Sequence, residues 1–147
     1  APVAAISVRR AALSGIDSPA HLVPLAIDEV PILLLAAACA DGVTRLSGAE
    51  ELRVKESDRI QVMADGLTTL GIDAQSQPDG IVIQGGNPGG GVIESHGDHR
   101  IAMAFSIASL MASDEIFINE CANVNTSFPG FVELARQAGI RIKANAG

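Results

Sequence analysis

The feature of this sequence that most constrains its fold is an internal repeat with a period of about 70 residues. Asp28 and Asp98 each precede a strongly apolar segment of helical length. Further along each unit, Leu70-Gly71-Ile72 matches Ala138-Gly139-Ile140. Matching signals at a nearly constant offset indicate two copies of one structural unit, so the two halves of the chain are predicted to fold alike.

The first helix predicted in each unit is more apolar than any of the predicted strands. These helices run from Asp28 to about Cys39 and from His99 to Met111. A helix that lacks a polar face has to be buried on most sides. We therefore predict an α/β fold in which helices form the centre and sheets lie outside them, the reverse of the usual layer order.

Local patterns predict the remaining elements. Short apolar or β-branched runs indicate strands, and apolar residues at three- and four-residue spacing indicate helices. Pro78-Asp79-Gly80 favours a hairpin turn. Prolines indicate a loop over 17–24. The predicted strands are 4–8, an extended piece near 13–16, 44–47, 72–76, 81–84, 92–95, 116–119 and 140–143, and the further helices are 57–70 and 131–138.

The densest charge lies between Leu52 and Arg59, where five of eight side chains are ionisable in a chain that is 48% hydrophobic. These charges precede a predicted helix, whose first N–H groups and dipole attract anions. Lys55 and Arg59 are typical of a phosphate or carboxylate site, and Glu56 is placed to exchange a proton with a ligand. The alternative is structural: Ser57 caps the helix and the charges form a solvated ion-pair cluster.

The second unit also places a cation just inside a helix start, in Gly97-Asp98-His99-Arg100. Asp28 adds an acidic residue at a third helix start. If the two units pack side by side, these ends converge, and the residues then favour acid–base chemistry on an anionic substrate. Each residue alone also has a structural interpretation, with Asp28 and Asp98 as N-caps, His99 as a hydrogen-bonded spacer and Arg100 as a solvated charge.

Composition and motifs argue against several functions. With 10 Lys and Arg against 17 Asp and Glu, the net charge of −7 argues against a nucleic-acid or membrane surface, as does the absence of Trp and Tyr. Cys39 and Cys121 are interpreted as reduced, packed thiols without metal-ligand spacing. The sequence carries no motif for a metal or nucleotide cofactor, no bilayer-spanning apolar run and no secretion signal, so a cytoplasmic protein is expected.

Four motifs together resemble those of the 5-enolpyruvylshikimate-3-phosphate synthase family of the shikimate pathway. The most specific is 52–59, Leu-Arg-Val-Lys-Glu-Ser-Asp-Arg, and the others are 27–31, 97–103 and 126–129. They occur in the family's order and cover essentially the whole chain. The related UDP-N-acetylglucosamine enolpyruvyl transferases, which use a cysteine, lack the first motif.

The resemblance implies a two-domain transferase built from six βαβαββ units, an inside-out α/β barrel with buried parallel helices and outer sheets. Residues 1–147 would form part of the C-terminal domain, with 1–10 as the remainder of a preceding repeat, 11–90 as the first repeat and 91–147 as the second. The N-terminal domain, which supplies most contacts to shikimate 3-phosphate, would be missing. The chain alone is therefore expected to be inactive, and no metal or cofactor is implied.

The same resemblance implies roles for five residues. Asp28 corresponds to the proton acceptor from the 5-hydroxyl of shikimate 3-phosphate, and Glu56 to the proton donor to the methylene of phosphoenolpyruvate. Lys55 corresponds to a lysine near shikimate 3-phosphate, while Arg59 and Arg100 correspond to arginines that hold phosphoenolpyruvate. Enolpyruvyl transfer with release of phosphate, a step of aromatic amino acid biosynthesis, is the expected reaction of the complete enzyme.

One position departs from the family pattern. Many members carry a lysine before the Phe-Pro pair, where this chain has Asn125-Thr126-Ser127, so a cationic contact is missing and no role is assigned there. A second class of function stays open at this point: a non-catalytic anion-binding or RNA-end-processing domain, because RNA 3′-phosphate cyclases contain similar repeat units. The negative net charge and the scarcity of aromatic residues count against an RNA ligand.

Overall fold

A computed structural model describes residues 3–145 and shows an α/β fold, which confirms the predicted fold class. The helices are α1 (Val30–Ala38), α2 (Arg59–Thr69), α3 (His99–Ala108), α4 (Ala122–Ser127) and α5 (Phe131–Gln137), and short 3₁₀ segments occupy Ala20–Leu22, Pro24–Glu29 and Glu50–Val54. The strands are β1 (Val43–Leu46), β2 (Asp73–Gln77), β3 (Gly80–Gln84), β4 (Gly91–Glu94) and β5 (Ile116–Asn119).

The strands form two sheets. Strand β3 lies between β1 and β2 and pairs with both in antiparallel fashion, whereas β4 and β5 pair in parallel. The hairpin predicted around Pro78-Asp79-Gly80 joins β2 to β3 and is confirmed, with Gln77 opposite Gly80. Glycine is required at this turn because a Cβ on Gly80 would lie 1.8 Å from the carbonyl oxygen of Leu46.

The core is formed by α1, α2 and α3, which pack against one another. The three-stranded sheet packs on α1 and α2, while β4 contacts α2 and β5 contacts α3. Every residue of α3 is buried or half-buried, and Met63, Leu67, Ile101 and Phe105 are fully enclosed. The sheets therefore lie outside the three helices, and α3, which lacks a polar face, is enclosed as predicted.

Helices α2 and α3 approach closely where Gly66 faces Phe105. A Cβ on Gly66 would lie 2.3 Å from the ring of Phe105, so this contact needs glycine. Each of the two residues lies about two turns from the start of its helix. Arg59, the first residue of α2, also bonds to Asp98, the cap of α3, so the two helices run side by side in the same direction and their starts meet.

Both units end a helix in the same way. Gly71 after α2 and Gly139 after α5 adopt the left-handed conformation, with φ of 83° and 97°. The following residues, Ile72 and Ile140, donate their N–H groups back to the last turn of the preceding helix. This arrangement favours glycine, and it accounts for the matching tripeptides in the two halves of the sequence.

The strand predicted at the N-terminus is wrong. Residues 4–8 form no regular structure, and apolar side chains such as Ile6 are exposed because no strand of the described chain pairs with them. The extended piece near 13–16 is reduced to isolated bridges, one of which joins Ser14 to Asp41. A short segment with two β-branched residues, Ile6 and Val8, thus forms no strand without a partner strand.

The start of α1 differs from the prediction. Asp28 does not cap it, because the chain forms a 3₁₀ segment over Pro24–Glu29 and the α-helix begins only at Val30. Pro31 occupies the first turn, where a missing N–H is tolerated. The Asp28 carboxylate therefore contacts other helices instead of the start of its own.

Helices α2 and α3 both begin with an aspartate cap. Asp58 caps α2 by accepting the N–H of Gln61, so the interpretation of Ser57 as the cap is wrong. The Ser57 hydroxyl instead donates to Asp98. The predicted cap at Asp98 is confirmed, because its carboxylate accepts the N–H groups of two residues in the first turn of α3.

The C-terminal part departs from the prediction in three places. Residues 140–143 form no strand, since no strand among residues 3–145 pairs with them. Helix α4 occupies a region predicted to be a loop, and it carries Asn125 and Thr126, both exposed. Helix α3 ends at Ala108 rather than at Met111.

The loop predicted near the N-terminus likewise contains a short 3₁₀ turn.

Helix α1 is not enclosed on all sides. Ile32 and Leu33 are exposed, and Leu25 in the preceding 3₁₀ segment is 80% exposed. The face of α1 that carries Leu34 and Leu35 is buried, as predicted for this helix. The opposite face is an apolar surface without a covering layer in the described chain.

Candidate functional site

Charged side chains meet where α1, α2 and α3 begin. The guanidinium of Arg59, at the start of α2, is only 1% exposed and contacts the carboxylates of Asp28, Glu56 and Asp98. Arg100, in the first turn of α3, contacts Asp28 as well. We call Asp28, Glu56, Arg59, Asp98 and Arg100 the helix-start cluster.

Arg59 is held by directed hydrogen bonds on all sides. Its Nε donates to Oδ2 of Asp98 at 2.8 Å, its Nη1 to Oδ1 of Asp28 at 3.2 Å, and its Nη2 to Oε2 of Glu56 at 2.6 Å. Hydrogen bonds between ionised groups are roughly twice as strong as those between neutral groups. Because the planar guanidinium presents its donors in a fixed fork, one side chain joins three segments of the chain.

Asp98 is a completely buried carboxylate, with 0% of its side chain exposed. Its Oδ2 accepts from Arg59 and, at 2.9 Å, from the hydroxyl of Ser57, while its Oδ1 accepts from the first turn of α3. A buried charge is tolerated only when it is paired and hydrogen-bonded. Within the described chain, every buried side-chain nitrogen and oxygen has a hydrogen-bond partner.

These partners keep the Arg59–Asp98 pair ionised. Burial by itself raises the pKa of Asp98, but the hydrogen bonds from Arg59 and Ser57, the charge of Arg59 and the N–H of Arg100 together lower it below its ordinary value. Burial lowers the pKa of Arg59, but its bond to Asp98 and the surrounding carboxylates raise it overall. Both members of the pair are therefore charged at neutral pH.

The remaining members of the cluster are accessible. Arg100 donates from Nη1 to the backbone carbonyl of Asp28 at 2.9 Å, and its Nη2 lies 3.7 Å from Oδ2 of the same residue. The side chains of Arg100, Asp28 and Glu56 are 34%, 47% and 51% exposed. A buried ion pair is thus bordered by three charged side chains that a ligand can reach.

Lys55 lies outside the helix-start cluster. Its ammonium pairs with Glu51, one helical turn earlier in the chain, rather than with the neighbouring Glu56. The structure therefore brings four of the five predicted site residues into mutual contact and leaves Lys55 at the side.

Arg53 belongs to the same charged stretch but anchors the hairpin. Its Nε donates to the carbonyl of Pro78 at 2.8 Å, its Nη2 to the Ser76 hydroxyl at 2.8 Å, and its Nη1 to Asp58 at 2.7 Å. No role was predicted for Arg53 from the sequence. The dense charge between Leu52 and Arg59 consequently serves two purposes, because one arginine ties the stretch to the sheet and the other joins the helix starts.

Asp98 belongs to the helix-start cluster and Ser57 bonds to it, although both residues were predicted only as caps. The available signal was an acidic residue close before an arginine at both helix starts, in Asp58-Arg59 and in Asp98-His99-Arg100. That signal could not tell which of the two carboxylates is buried, because burial depends on contacts between distant parts of the chain.

The charge balance determines what the cluster can do. The carboxylates of Asp28, Glu29, Glu56 and Asp98 surround two arginines, and Glu29 lies 3.8 Å from the second of them. An entering anion has to replace a carboxylate on Arg59 or be accompanied by protonation of one. The arrangement can therefore bind an anion through guanidinium N–H groups and exchange protons through accessible carboxylates.

Other kinds of site find no support in residues 3–145. These residues contain no group of three or more His, Cys, Asp or Glu side chains that could hold a metal ion. Their helices are all too short or too polar to cross a lipid bilayer.

The fold and the helix-start cluster define an α/β domain with a charged site where three helices converge. The chain belongs to the EPSP synthase family, since residues 1–134 match the family model for EPSP synthase (3-phosphoshikimate 1-carboxyvinyltransferase). The family resemblance carried by the four sequence motifs is thereby confirmed.

Individual relatives are similar over nearly the whole chain. It is 66% identical over 142 residues to the 3-phosphoshikimate 1-carboxyvinyltransferase of Nitrosococcus oceani, covering 97% of this chain and 32% of that protein. The same enzyme of Methylococcus capsulatus is 65% identical over 144 residues, covering 98% and 33%. A solved structure of EPSP synthase from Acinetobacter baumannii matches with a TM-score of 0.89 and 55% identity, covering 92% of this chain and 32% of that one. The chain thus spans about a third of the length of these relatives.

Proposed function

We propose that a longer protein containing this chain transfers the enolpyruvyl group of phosphoenolpyruvate to the 5-hydroxyl of shikimate 3-phosphate and releases phosphate. The observation that carries this proposal is the helix-start cluster, in which Arg59 joins Asp28 and Glu56. The reaction needs cations for the phosphate and carboxylate of phosphoenolpyruvate, and it needs carboxylates for proton transfer. The cluster offers both within hydrogen-bonding distance of each other.

Arg59 and Arg100 would hold phosphoenolpyruvate. A guanidinium binds a carboxylate or a phosphate through two parallel N–H bonds, which fixes the orientation of the ligand. Arg59 at present directs those N–H groups to Asp28 and Glu56. Ligand oxygens would take the place of these carboxylates, while the buried bond from Arg59 to Asp98 persists.

Asp28 and Glu56 would carry the proton transfers. The oxygen of the 5-hydroxyl would attack C2 of phosphoenolpyruvate while Asp28 accepts the hydroxyl proton. Glu56 would donate a proton to the methylene carbon of phosphoenolpyruvate. The product of these steps is a tetrahedral ketal. Loss of a proton from the new methyl group, with departure of phosphate, would restore the double bond. The cations nearby would stabilise the charge that develops in these steps.

The rest of the longer protein would complete the site. We place this chain in the C-terminal domain, with 1–10, 11–90 and 91–147 as the remainder of one repeat and two further repeats. The exposed apolar face of α1, which carries Ile32, supports the proposal that further chain packs there, because large apolar patches mark interaction surfaces.

Lys55, outside the cluster, would contact shikimate 3-phosphate together with the other domain. The complete enzyme would be cytoplasmic and would work without metal or cofactor.

A direct test measures phosphate release by the full-length protein with both substrates. Asp28→Ala is expected to lower kcat by roughly 10²- to 10⁴-fold, the usual contribution of a general base. Asp65→Ala is the matched control, since Asp65 is an exposed aspartate of α2 whose carboxylate, among residues 3–145, bonds only to its helix neighbour Gln61. Absence of phosphate release by the unmodified protein, or full activity of Asp28→Ala, would contradict the proposal.

The isolated chain provides a second test, because it should have no measurable turnover. Catalysis needs both substrates held in reacting geometry in a site closed to water, an effect that can contribute about 7–11 kcal/mol. Purified chain is assayed with both substrates beside its Asp28→Ala variant, which reveals contaminating host enzyme. Turnover that depends on Asp28 would show that the missing part is dispensable and that the proposed division into domains is wrong.

A further inference from the structure

Asp98 does more than cap a helix. Its buried carboxylate accepts hydrogen bonds from the Arg59 side chain, from the Ser57 hydroxyl and from the backbone of Arg100 and Ile101. These donors belong to the segment before α2, to α2 itself and to α3. One side chain therefore ties the start of α2 to the start of α3.

The two oxygens of Asp98 have different short hydrogen bonds, and Nη2 of Arg59 makes a longer one, of 3.4 Å, to Oδ1. Oδ1 accepts the N–H of Arg100 at 3.0 Å and fixes the first turn of α3. Oδ2 accepts Nε of Arg59 at 2.8 Å and the hydroxyl of Ser57 at 2.9 Å. Fixing the Nε edge of a planar guanidinium also fixes the direction of its other N–H groups.

The consequence concerns both arginines of the cluster. With its Nε edge held by Asp98, Arg59 directs Nη1 and Nη2 toward Asp28 and Glu56, which lie on the accessible side. Arg100 starts from a backbone N–H held by the same carboxylate, and its side chain reaches Asp28. A single buried carboxylate thus sets the orientation of the Arg59 guanidinium and the position of the helix turn from which Arg100 extends.

We propose, resting on the function proposed above, that Asp98 is a positioning residue that orients Arg59 toward the anionic groups of phosphoenolpyruvate and fixes the helix turn from which Arg100 reaches the same site. Asp98 is fully buried, so its carboxylate is not accessible to a substrate. Its contribution is preorganisation: the arginine N–H groups are already directed when the ligand arrives, so the ligand does not have to order them.

Asp98→Asn separates positioning from helix capping. Asparagine is about as good an N-cap as aspartate, so its carbonyl oxygen at the Oδ1 position still accepts the N–H of Arg100. Its NH₂ group then replaces Oδ2 and faces the Nε–H of Arg59, donor against donor, whereas the Ser57 hydroxyl can rotate to accept from it. The cap is retained, while the acceptor that holds Nε of Arg59 is lost.

The chain supplies a matched control in Asp58→Asn. Asp58 also caps a helix, but its carboxylate pairs with Arg53, which binds the hairpin, and not with Arg59. Both variants exchange a capping aspartate for asparagine at the start of a core helix. They differ in whether the carboxylate holds a member of the helix-start cluster.

The test is steady-state kinetics of the full-length protein with its melting temperature measured in parallel. In Asp98→Asn, KM for phosphoenolpyruvate is expected to rise roughly 10- to 100-fold, because a buried hydrogen-bond donor loses its partner. KM for shikimate 3-phosphate should stay within about twofold of its unmodified value, and Asp58→Asn should leave both constants nearly unchanged. A purely structural role would lower the melting temperature and the active fraction without selectively raising KM for phosphoenolpyruvate.

A second variant is informative even if Asp98→Asn does not fold. Ser57→Ala removes one hydrogen bond to Oδ2 and keeps the charge pair, so KM for phosphoenolpyruvate should rise about 2- to 10-fold at a nearly unchanged melting temperature. If KM for phosphoenolpyruvate is unchanged in Ser57→Ala, and also in Asp98→Asn where that variant folds, the positioning role is overturned while the proposed function stands. Lack of turnover by the unmodified protein would overturn the proposed function and this inference with it.

Discussion

The starts of α2 and α3 are alike in sequence and different in their surroundings. Each begins with an aspartate that accepts backbone N–H groups from the first turn, and each carries an arginine at or next to its first position. Asp58 is 38% exposed and pairs with Arg53. Asp98 is wholly buried and pairs with Arg59. One local motif thus produces an ordinary cap in one place and the centre of a charged site in the other.

Burial accounts for the difference between the two helix starts. An exposed ion pair contributes little, because water solvates both charges and salt screens them. A buried carboxylate depends on its partners, since removing one of them leaves a charge without solvation. The start of α3 is therefore the place where a single substitution should be felt most strongly.

The largest expected effect is the loss of stability in Asp98→Ala. Removing one partner of a buried pair costs about 3–5 kcal/mol, because Arg59 keeps its charge but loses the acceptor at Nε. Asp58→Ala should cost only about 1–2 kcal/mol, because it removes a helix cap and a half-buried ion pair that water still reaches. Urea unfolding of both variants of the full-length protein measures the difference, and equal losses would remove the distinction between the two helix starts.

A smaller effect is expected from exchanging the arginines for lysine. Lysine keeps the charge but lacks the planar guanidinium fork that directs its donors to three carboxylates in fixed directions, so Arg59→Lys should raise KM for phosphoenolpyruvate roughly tenfold. Arg53→Lys is the counterpart at the other helix start, and it should lower the melting temperature while leaving KM nearly unchanged. Selective loss of substrate affinity in Arg53→Lys would show that the hairpin anchor also belongs to the binding site.

The smallest effect concerns the pH dependence of stability. The pKa of Asp98 is lower in the folded protein than in the unfolded chain, so its stabilising effect is complete above the unfolded value of about 4 and is lost as the pH falls through the folded value. The difference in unfolding free energy between the unmodified protein and Asp98→Asn should be constant at neutral pH and should shrink only below about pH 4. Unfolding measured at several pH values checks this, and a difference that shrinks near neutral pH would contradict it.

The sequence was sufficient for features that depend on neighbouring residues. The apolar spacing of α2 and α3, the turn at Pro78-Asp79-Gly80 and the glycines after α2 and α5 are local signals, and the structure contains each of these elements. The family resemblance rested on linear motifs and was likewise accessible. Such features need only a few adjacent side chains.

Features that depend on distant contacts were missed. Residues 4–8 and 140–143 have the composition of strands, but strands form only when a partner strand is present. Asp28 looked like a cap, whereas its carboxylate reaches Arg59, 31 residues away. The sequence predicted that charged helix starts would converge, but the burial of Asp98 follows from the way α2 and α3 pack.

The contact between Gly66 and Phe105 in the core determines the spacing of the helices that carry the charged site. It sets how far apart the axes of α2 and α3 stand, and the same two helices carry Arg59 and follow Asp98 at their starts. A hydrogen bond of 2.8 Å tolerates only a few tenths of an ångström of extra separation. Any substitution that moves α2 and α3 apart within the apolar core thus also lengthens the hydrogen bond between Arg59 and Asp98, about 10 Å away along the helix axes. In this fold, the side chains that fill the core and the charged side chains of the helix-start cluster are therefore constrained by the same distance between α2 and α3.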